Sequence, residues 1–268
     1  EGLIIEGPKP FFVNIRVLAG AQAGSLTSKG VKAALGKDFR SGFLFNNDGD
    51  SYRKSNSIGI IATEDNTTVN IGDIRTGVIL RGTTQSSVVL NAGESYVISA
   101  FMDEAGSTEN VNGLNGAHIT SDKNSAVSTA TWLGGNAIVG GVPDVGRDIG
   151  IDQIVPEESI GKEYVAIKGE GIDNEKIIVV ANEDGTELAI DGNGTGVGTP
   201  VATINAGDYY VLDVNAYSAN DNLFIQTSKE AYVYQSANGG DGATDDNERQ
   251  VGLNFLPPIG CSGSKEVT

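Results

Sequence analysis

The side chains of this chain offer little reactive chemistry, because it has one histidine, His118, and one cysteine, Cys261, among 268 residues. A Ser/His/Asp relay requires a histidine between a nucleophile and an orienting acid. The stretch around His118, Gly116 to Thr120, instead has the pattern of a strand. Its counterpart in a second, similar part of the chain is apolar, around Leu223 and Phe224. We therefore expect His118 to be an ordinary sheet residue, and we expect no Cys/His metal cluster and no disulfide scaffold.

Three short motifs resemble catalytic signatures but lack the rest of them. Ser-x-x-Lys occurs at Ser51 to Lys54 and at Ser159 to Lys162, without the Lys-Thr-Gly that accompanies it in β-lactamases. The glycine-rich run 192–198 lacks the Lys-Ser/Thr of a phosphate-binding loop. These segments predict turns and a flexible hairpin.

Carboxylates are numerous enough for a glycan-active enzyme, which uses a pair of them. The aromatic side chains that could line a sugar cleft are few: Trp132 and the pair Tyr209-Tyr210. Acidic residues in turns usually serve turn geometry and solubility. A carboxylate-dependent glycan-active enzyme is therefore the less favoured alternative.

Two acidic loops could supply oxygen ligands to calcium, one around Asp48-Asp50 and the other at Asp241 to Glu248. An EF-hand loop needs glycine at position six and a bidentate glutamate at position twelve, and neither loop has that order. Calcium stays an alternative cofactor, and we predict no catalytic, cofactor-binding or metal residue.

The charge balance excludes two classes of partner. There are 18 Lys and Arg against 35 Asp and Glu, a net charge of −17, which repels nucleic acid and anionic lipid. No apolar run reaches the roughly 20 residues of a membrane span, so we expect no direct membrane insertion. Glu1 to Pro10 is not a signal peptide, although a mature secreted chain would look the same. We expect an extracellular protein.

Four sequence markers recur in the same order, separated by 106 to 125 residues. They are Gly-Lys-acid-aromatic, Glu-Asp-x-Thr, Asn-Ala-Gly-acid and Lys-x-x-x-Val. They occur at Gly36–Phe39 and Gly161–Tyr164, Glu64–Thr67 and Glu183–Thr186, Asn91–Glu94 and Asn205–Asp208, and Lys123–Val127 and Lys229–Val233. Such self-similarity predicts a repeated structural unit.

The repeat predicts three parts of the chain: the tail of a preceding repeat plus a short helix (1–35), a first β repeat (36–150) and a second β repeat (151–268). Ile4 to Val13 parallels Ile119 to Val127, and Leu256-Pro257 resembles Val155-Pro156. Either the chain is a segment of a longer protein, or its first strands close the structure by pairing near its end.

Local pattern predicts strands throughout. Ser57 to Ala62 and Lys176 to Ala181 are short β-branched runs, each followed by Glu-Asp-x-Thr, which favours a two-residue hairpin turn. One helix is expected, from Lys29 to Leu35, capped by Ser28 and ended by Gly36. The fold class is all-β: two tandem, sandwich-like antiparallel pseudo-repeats packed as one unit. The alternative is a propeller-like or barrel-like ring closed by the N-terminal strands.

Seven segments together carry a resemblance to a known family: Gln22-Ala23, Leu26–Gly30, Ala34–Phe39, Glu64–Val69, Ile119–Lys123, Asp152–Pro156 and Gly161–Tyr164. In this order they resemble the N-terminal domain family of IgGFc-binding protein. The resemblance covers nearly the whole chain. Within the family, the sequence is similar to the bacterial, Bacteroidetes-type branch of surface and secreted proteins. Members often carry Cys and His before the Gln-x-x-Pro segment, where this chain has Arg147 to Asp152, so that disulfide is absent.

The resemblance implies a non-catalytic extracellular module of a larger protein. We expect adhesion to, or recognition of, a protein or glycan partner. The alternative is a structural spacer or assembly module of a surface fibre, with neighbouring domains of the same protein as partners.

Overall fold

The computed structural model describes residues 3–20, 22–46, 54–82, 84–102, 108–135, 137–139, 142–145, 148–169, 175–191, 198–237 and 251–262. The fold is all-β and antiparallel, which confirms the predicted class. No helix among these residues is long and apolar enough to cross a membrane.

The strands are numbered in chain order. They are β1 (Asn14–Ala19), β2 (Gln22–Thr27), β3 (Leu35–Arg40), β4 (Ser55–Ala62), β5 (Thr67–Gly72), β6 (Ser87–Leu90), β7 (Ser95–Phe101), β8 (His118–Gly134), β9 (Ala137–Val139), β10 (Val142–Val145), β11 (Asp148–Ile154), β12 (Gly161–Ile167), β13 (Lys176–Ala181), β14 (Thr186–Asp191), β15 (Ala202–Ile204), β16 (Tyr209–Leu212), β17 (Asn222–Ala237) and β18 (Gly252–Phe255). Short helices are α1 (Val31–Ala34) and α2 (Ile259–Ser262), with 3-10 turns at Glu109–Val111, Glu157–Ser159 and Val214–Ala216.

The two large sheets have the same topology. The first has the order β6-β5-β8-β4-β7, with β3 and β11 also paired to β8. The second has the order β15-β14-β17-β13-β16, with β12 and β18 also paired to β17. In chain order, strands β3 to β8 and β11 of the first sheet correspond to β12 to β17 and β18 of the second, with the same neighbours in each sheet. The tandem β units predicted from the markers are therefore confirmed.

One long strand organises each sheet. The first half of β8 pairs with β3 and β5, and its second half pairs with β4 and β11. In the second sheet, β17 pairs in the same way with β12, β14, β13 and β18. Each half of the long strand therefore belongs to a different layer, and the sheet curls round to enclose its own apolar interior.

The predicted hairpins at Glu-Asp-x-Thr are wrong. Strand β4 pairs with β7 and β8, while β5 pairs with β6 and β8, and the two do not pair with each other. The turn residues Asn66 and Gly185 do have the expected positive φ, 55° and 66°. The turn is therefore a corner that leads from one layer to the other, because local turn chemistry does not decide which strands pair.

The first corner is closed by side chains from three sequence markers. The Nζ of Lys123 donates to the carbonyl oxygen of Asp65 at 2.5 Å. The Oδ1 of Asp65 accepts from the backbone N–H of Ala92 at 3.1 Å, and the Oδ1 of Asn91 accepts from the N–H of Asn66 at 3.3 Å. Glu-Asp-x-Thr, Asn-Ala-Gly and Lys-x-x-x-Val thus meet in space.

The second corner repeats these bonds. Lys229 Nζ donates to the carbonyl oxygen of Asp184 at 2.6 Å, whose Oδ1 accepts from the N–H of Ala206 at 3.0 Å. The Oδ1 of Asn205 accepts from the N–H of Gly185 at 3.1 Å. The sequence markers therefore recur because they build the same turn twice.

The two units share apolar packing. The inner face of the first sheet, which includes Ile58, Ile60 and Val127, belongs to one buried cluster with Tyr232 and Tyr234 on the outer face of the second sheet. The inner face of the second sheet forms its own cluster. Packing is close between the units, since a Cβ on Gly42 would lie 2.3 Å from the ring of Tyr234.

The predicted helix is shorter than expected. It covers Val31 to Ala34 and begins after Gly30, which has a φ of 74°. Ser28 does not cap it, and the hydroxyl of Ser28 donates to Gln153 instead. Gly36 lies within β3, where a Cβ would come 2.2 Å from Pro156. A tertiary contact, which the local sequence does not encode, therefore determines the role of that glycine.

The N-terminal strands do not close a ring in the described part of the chain, because β1 pairs with β2 alone. The ring closed by the N-terminal strands, the alternative to tandem repeats, is therefore not formed there. Each large sheet is itself nearly barrel-like, and the boundaries at 36 and 151 remain a prediction.

Candidate interaction surface

The described part of the chain contains three equivalent hairpins. They are β1 with β2, the second half of β8 with β11, and the second half of β17 with β18. Each is followed by one short helical turn, which starts at Val31, Glu157 or Ile259. The N–H of Ser28 bonds the carbonyl oxygen of Val13 at 2.9 Å, as the N–H of Leu256 bonds that of Val233 at 2.8 Å.

The return strands of the three hairpins, β2, β11 and β18, lie side by side. A Cβ on Gly24 in β2 would come 2.5 Å from the carbonyl oxygen of Ile149 in β11. The N–H of Phe255 in β18 donates to Oδ2 of Asp152 in β11 at 2.7 Å. Glycine is required at position 24 because a side chain would separate the strands.

A groove of about 750 Å³ runs over these strands, and we call it the junction groove. Residues that line it include Phe12, Thr27, Lys29, Lys32, Asp152, Asn254, Phe255, Pro257 and Pro258. Phe12 is 98% exposed and Lys32 is exposed. The groove therefore offers an uncovered aromatic ring and a cation in a chain that is otherwise strongly acidic.

An ion pair between half-buried Lys29 and buried Asp152 joins the first two hairpins beneath the groove. Lys29 Nζ pairs with the carboxylate of Asp152 and also donates to the carbonyl oxygen of Gln153 at 2.5 Å. The backbone N–H of Lys29 donates to Oε1 of Gln153 at 2.8 Å. Burial raises the pKa of Asp152 above 3.8, while Lys29 and the Phe255 N–H oppose that rise by favouring the charged form.

Prolines that precede two of the three helical turns contact the first large-sheet strand of a unit. Pro156 packs against Gly36 of the first unit, and Pro258 packs against Gly161 of the second, where a Cβ would lie 2.6 Å from the proline Cβ. The two junctions are therefore alike: in each, a glycine of a unit contacts the proline that follows the last strand of that unit.

His118 lies at the start of β8, as the strand pattern predicted, and its counterpart is Phe224. The two are equivalent because His118 pairs with Gly72, and Phe224 pairs with Asp191, at the same position of the sheet. His118 Nε2 is 2.8 Å from Oδ1 of Asp38. In the described residues, no nucleophile completes a relay with this pair.

The other motifs weighed as sites lie apart. Ser159 ends the 3-10 turn and Lys162 is exposed in β12. Trp132 is half-buried in β8. Tyr209 packs against the first apolar cluster and Tyr210 against the second, so the two rings leave opposite faces of β16.

Several predicted loops lie outside the described residues. They are the acidic loops around Asp48-Asp50 and at Asp241 to Glu248, Ser51 of the first Ser-x-x-Lys, and 192–197 of the glycine-rich run. Within the described part of the chain, no three His, Cys, Asp or Glu side chains are grouped to hold a metal ion.

The sequence alone does not mark the residues of the junction groove as a binding site. Lys29 and Asp152 are 123 residues apart, and nothing local marks them as a pair. The sequence does contain an indication of these two residues, because Leu26–Gly30 and Asp152–Pro156 are both among the segments that resemble a known family.

The model of one protein family, described as IgGFc binding protein, matches residues 27–267. The chain belongs to the IgGFc-binding protein family. This is a family of binding proteins, typically extracellular, and not of enzymes. No curated protein and no solved structure matches the chain.

Proposed function

We propose that this chain is a non-catalytic recognition module of a bacterial surface or secreted protein, of the Bacteroidetes-type branch, that binds an extracellular protein partner through the junction groove. The observation that carries the proposal is the groove itself. It is large enough for several side chains of a partner, and it combines the exposed ring of Phe12 with the cation of Lys32. Aromatic side chains are enriched at protein interfaces, and the charge of Lys32 favours a partner that carries a carboxylate.

The groove favours a protein over a glycan. Apolar side chains and prolines make up much of its lining, which suits an apolar side chain of a partner flanked by a carboxylate. Trp132, Tyr209 and Tyr210 do not form a common stacking platform for a sugar ring. Glycan binding is therefore the second outcome to be tested.

The acids that the structure describes support a role without catalysis. Asp65 and Asp184 each accept a backbone hydrogen bond within a corner, and Asp152 is paired with Lys29. These three acidic side chains are therefore engaged in contacts within the fold.

A structural spacer or assembly module is the second candidate function. The repeated glycine–proline junctions favour it, because Pro156 and Pro258 make the same kind of contact at successive unit boundaries. In that case the partners would be neighbouring domains of the same surface protein.

The test compares two double variants of the full chain, each removing one exposed apolar side chain and one exposed lysine. Phe12→Ser with Lys32→Glu alters the groove, and Val89→Ser with Lys162→Glu is the matched control elsewhere. Binding to immobilised IgG Fc fragment, to mucin and to a glycan array is measured. We expect a protein partner whose affinity falls at least about tenfold for the groove variant alone, about 1.4 kcal/mol.

Binding to glycans only, or equal binding by the groove variant and the wild type, would contradict the proposal. Binding to none of these probes, with concentration-dependent multimers on sizing, would favour the spacer.

A further inference from the structure

Strand β1 has one unpaired edge. In the described residues it pairs only with β2. The equivalent segments are paired on both edges, since the second half of β8 lies between β11 and β4, and that of β17 lies between β18 and β13. No strand among the described residues takes the position beside β1 that β4 and β13 take beside β8 and β17.

The backbone groups at this edge point away from β2. Because the carbonyl oxygen of Val13 bonds Ser28, the N–H and C=O groups of alternate residues from Val13 face β2, and those of Asn14, Arg16 and Leu18 face outward. Unpaired strand edges of this kind are templates for another strand.

The counterparts of the outward residues show what such an edge accepts. They are Ser128, Ala130 and Trp132, which lie opposite Gly59, Ser57 and Ser55 of β4. The same backbone positions in β8 are therefore used for a strand-to-strand ladder.

The apolar surface near β1 is also incompletely covered. Leu18 is 79% exposed, and of the fourteen exposed large apolar side chains among the residues whose burial is described, six lie between residues 3 and 18. Val13 and Ile15 are only half-buried and line a cavity of about 340 Å³. The residues equivalent to Val13, Val127 and Val233, are fully buried.

We infer that the outer edge of β1 is a strand-acceptor site, which binds an extended polypeptide segment antiparallel to β1. In β4 and β13, which pair with β8 and β17 in the way proposed here, β-branched apolar residues lie opposite the equivalents of Val13. Ile60 lies opposite Val127 and Val179 opposite Val233. The segment accepted by β1 carries such a residue opposite Val13.

A second apolar residue is specified two positions earlier in the segment. Ile58 of β4 and Ile177 of β13 lie two residues before those just named, opposite Thr129 and Gln235. The equivalent residue of β1 is Ile15. Two apolar residues at this spacing both point to the core face of the sheet.

A folded second copy cannot supply its own β4 or β13, because each is already paired on both edges. A segment that pairs with β1 as β4 pairs with β8 must therefore be one that is not yet in a sheet. This site goes beyond the recognition function proposed for the junction groove, because it uses backbone groups of β1 rather than the groove side chains.

The probe is a labelled peptide with the sequence of residues 54–62, and the control peptide has aspartate in place of Ile58 and Ile60. Binding to the full chain is measured by fluorescence anisotropy. Two variants are matched: Arg16→Pro removes one outward N–H, which an edge strand tolerates, and Arg16→Ala keeps it. We expect the peptide to bind wild type and Arg16→Ala, and to bind Arg16→Pro at least about tenfold more weakly.

Amide hydrogen exchange of the wild type gives a readout that needs no variant. On adding the peptide, the amides of Arg16 and Leu18 gain protection, whereas the amide of Val17, which faces β2, is unchanged. Failure of the peptide to bind, equal binding by the control peptide, or protection away from β1 would overturn the inference. A Lys32→Glu variant, which alters the groove without touching β1, should bind this peptide as the wild type does, so this site and the groove can fail separately.

Discussion

The outer faces of the two sheets have the same strand topology but different side chains. The second sheet has Ile178, Val180, Tyr232 and Tyr234 there, and the equivalent positions of the first sheet have Gly59, Ile61, Ala126 and Ser128. All four residues of the second face are fully buried against the first unit, while the four of the first face are half-buried. The shared corners fix the fold, and the face residues decide what packs on it.

The size of the side chains explains the difference. The rings of Tyr232 and Tyr234 are stacked at 6.3 Å, and Phe255 packs edge-on against both. The hydroxyl of Tyr234 donates to the carbonyl oxygen of Arg40 at 2.6 Å. The small residues of the first face leave the 340 Å³ cavity between that sheet and the N-terminal hairpin.

The largest expected effect is at Tyr234. Tyr234→Ala should lower the free energy of unfolding by about 3 to 5 kcal/mol, because it leaves a large cavity between the units. The matched change at the equivalent position, Ser128→Ala, should cost less than about 0.5 kcal/mol. Urea denaturation of both variants measures the difference. Similar costs at the two positions would mean that the two faces are equally important to stability.

Glycines of the two corners give a smaller contrast. Gly93 and Gly207 have φ values of 81° and 77°, where an L side chain costs about 1 to 2 kcal/mol. Gly93→Ala should cost about 1 kcal/mol, since its Cβ would meet only Ile4 at 4.0 Å. Gly207→Ala should cost about 2 kcal/mol, since its Cβ would lie 3.0 Å from Nη1 of Arg40. Thermal denaturation compares them, and a greater loss for Gly93→Ala would contradict this account.

The pH dependence of stability tests the ion pair beneath the junction groove. Because burial raises the pKa of Asp152 above 3.8, the folded protein holds this proton more tightly than the unfolded chain does. The stability that Asp152 contributes is therefore greatest below pH 3.8 and falls as the pH rises through the folded pKa. Asp152→Asn should remove that fall, as measured by unfolding free energies from acid to neutral pH.

Lys29→Met is the companion variant. It removes the charge that opposes the pKa rise of Asp152, so the loss of stability should extend to higher pH. A wild type that gains stability relative to Asp152→Asn as the pH rises would mean that Lys29 lowers the pKa more than burial raises it.

The sequence was sufficient to predict the strands and their repetition. The β-branched runs Ser57–Ala62 and Lys176–Ala181 correspond to β4 and β13, and the positive φ of Asn66 and Gly185 follows from turn chemistry. These features depend on neighbours in the chain. For the same reason the fold class could be predicted without knowing which strands pair.

Features that depend on distant residues could not be predicted. The sequence around Asp65 predicts a hairpin, because the lysine that closes the corner, Lys123, is 58 residues away. Gly36 has the pattern of a helix end, because nothing nearby in the sequence indicates its contact with Pro156. The pairing of Lys29 with Asp152 depends on two hairpins lying side by side, and each hairpin has an independent local pattern.

The long strand of each sheet has a consequence for how the protein unfolds. Strand β8 pairs with four other strands along its 17 residues. Loss of β8 from the sheet would therefore remove a pairing partner from all four strands at once. Its two halves cannot melt independently, because each layer relies on the same continuous segment. Each unit should therefore yield to heat or pulling in one all-or-none event, and a tether made of such units would lengthen in discrete steps.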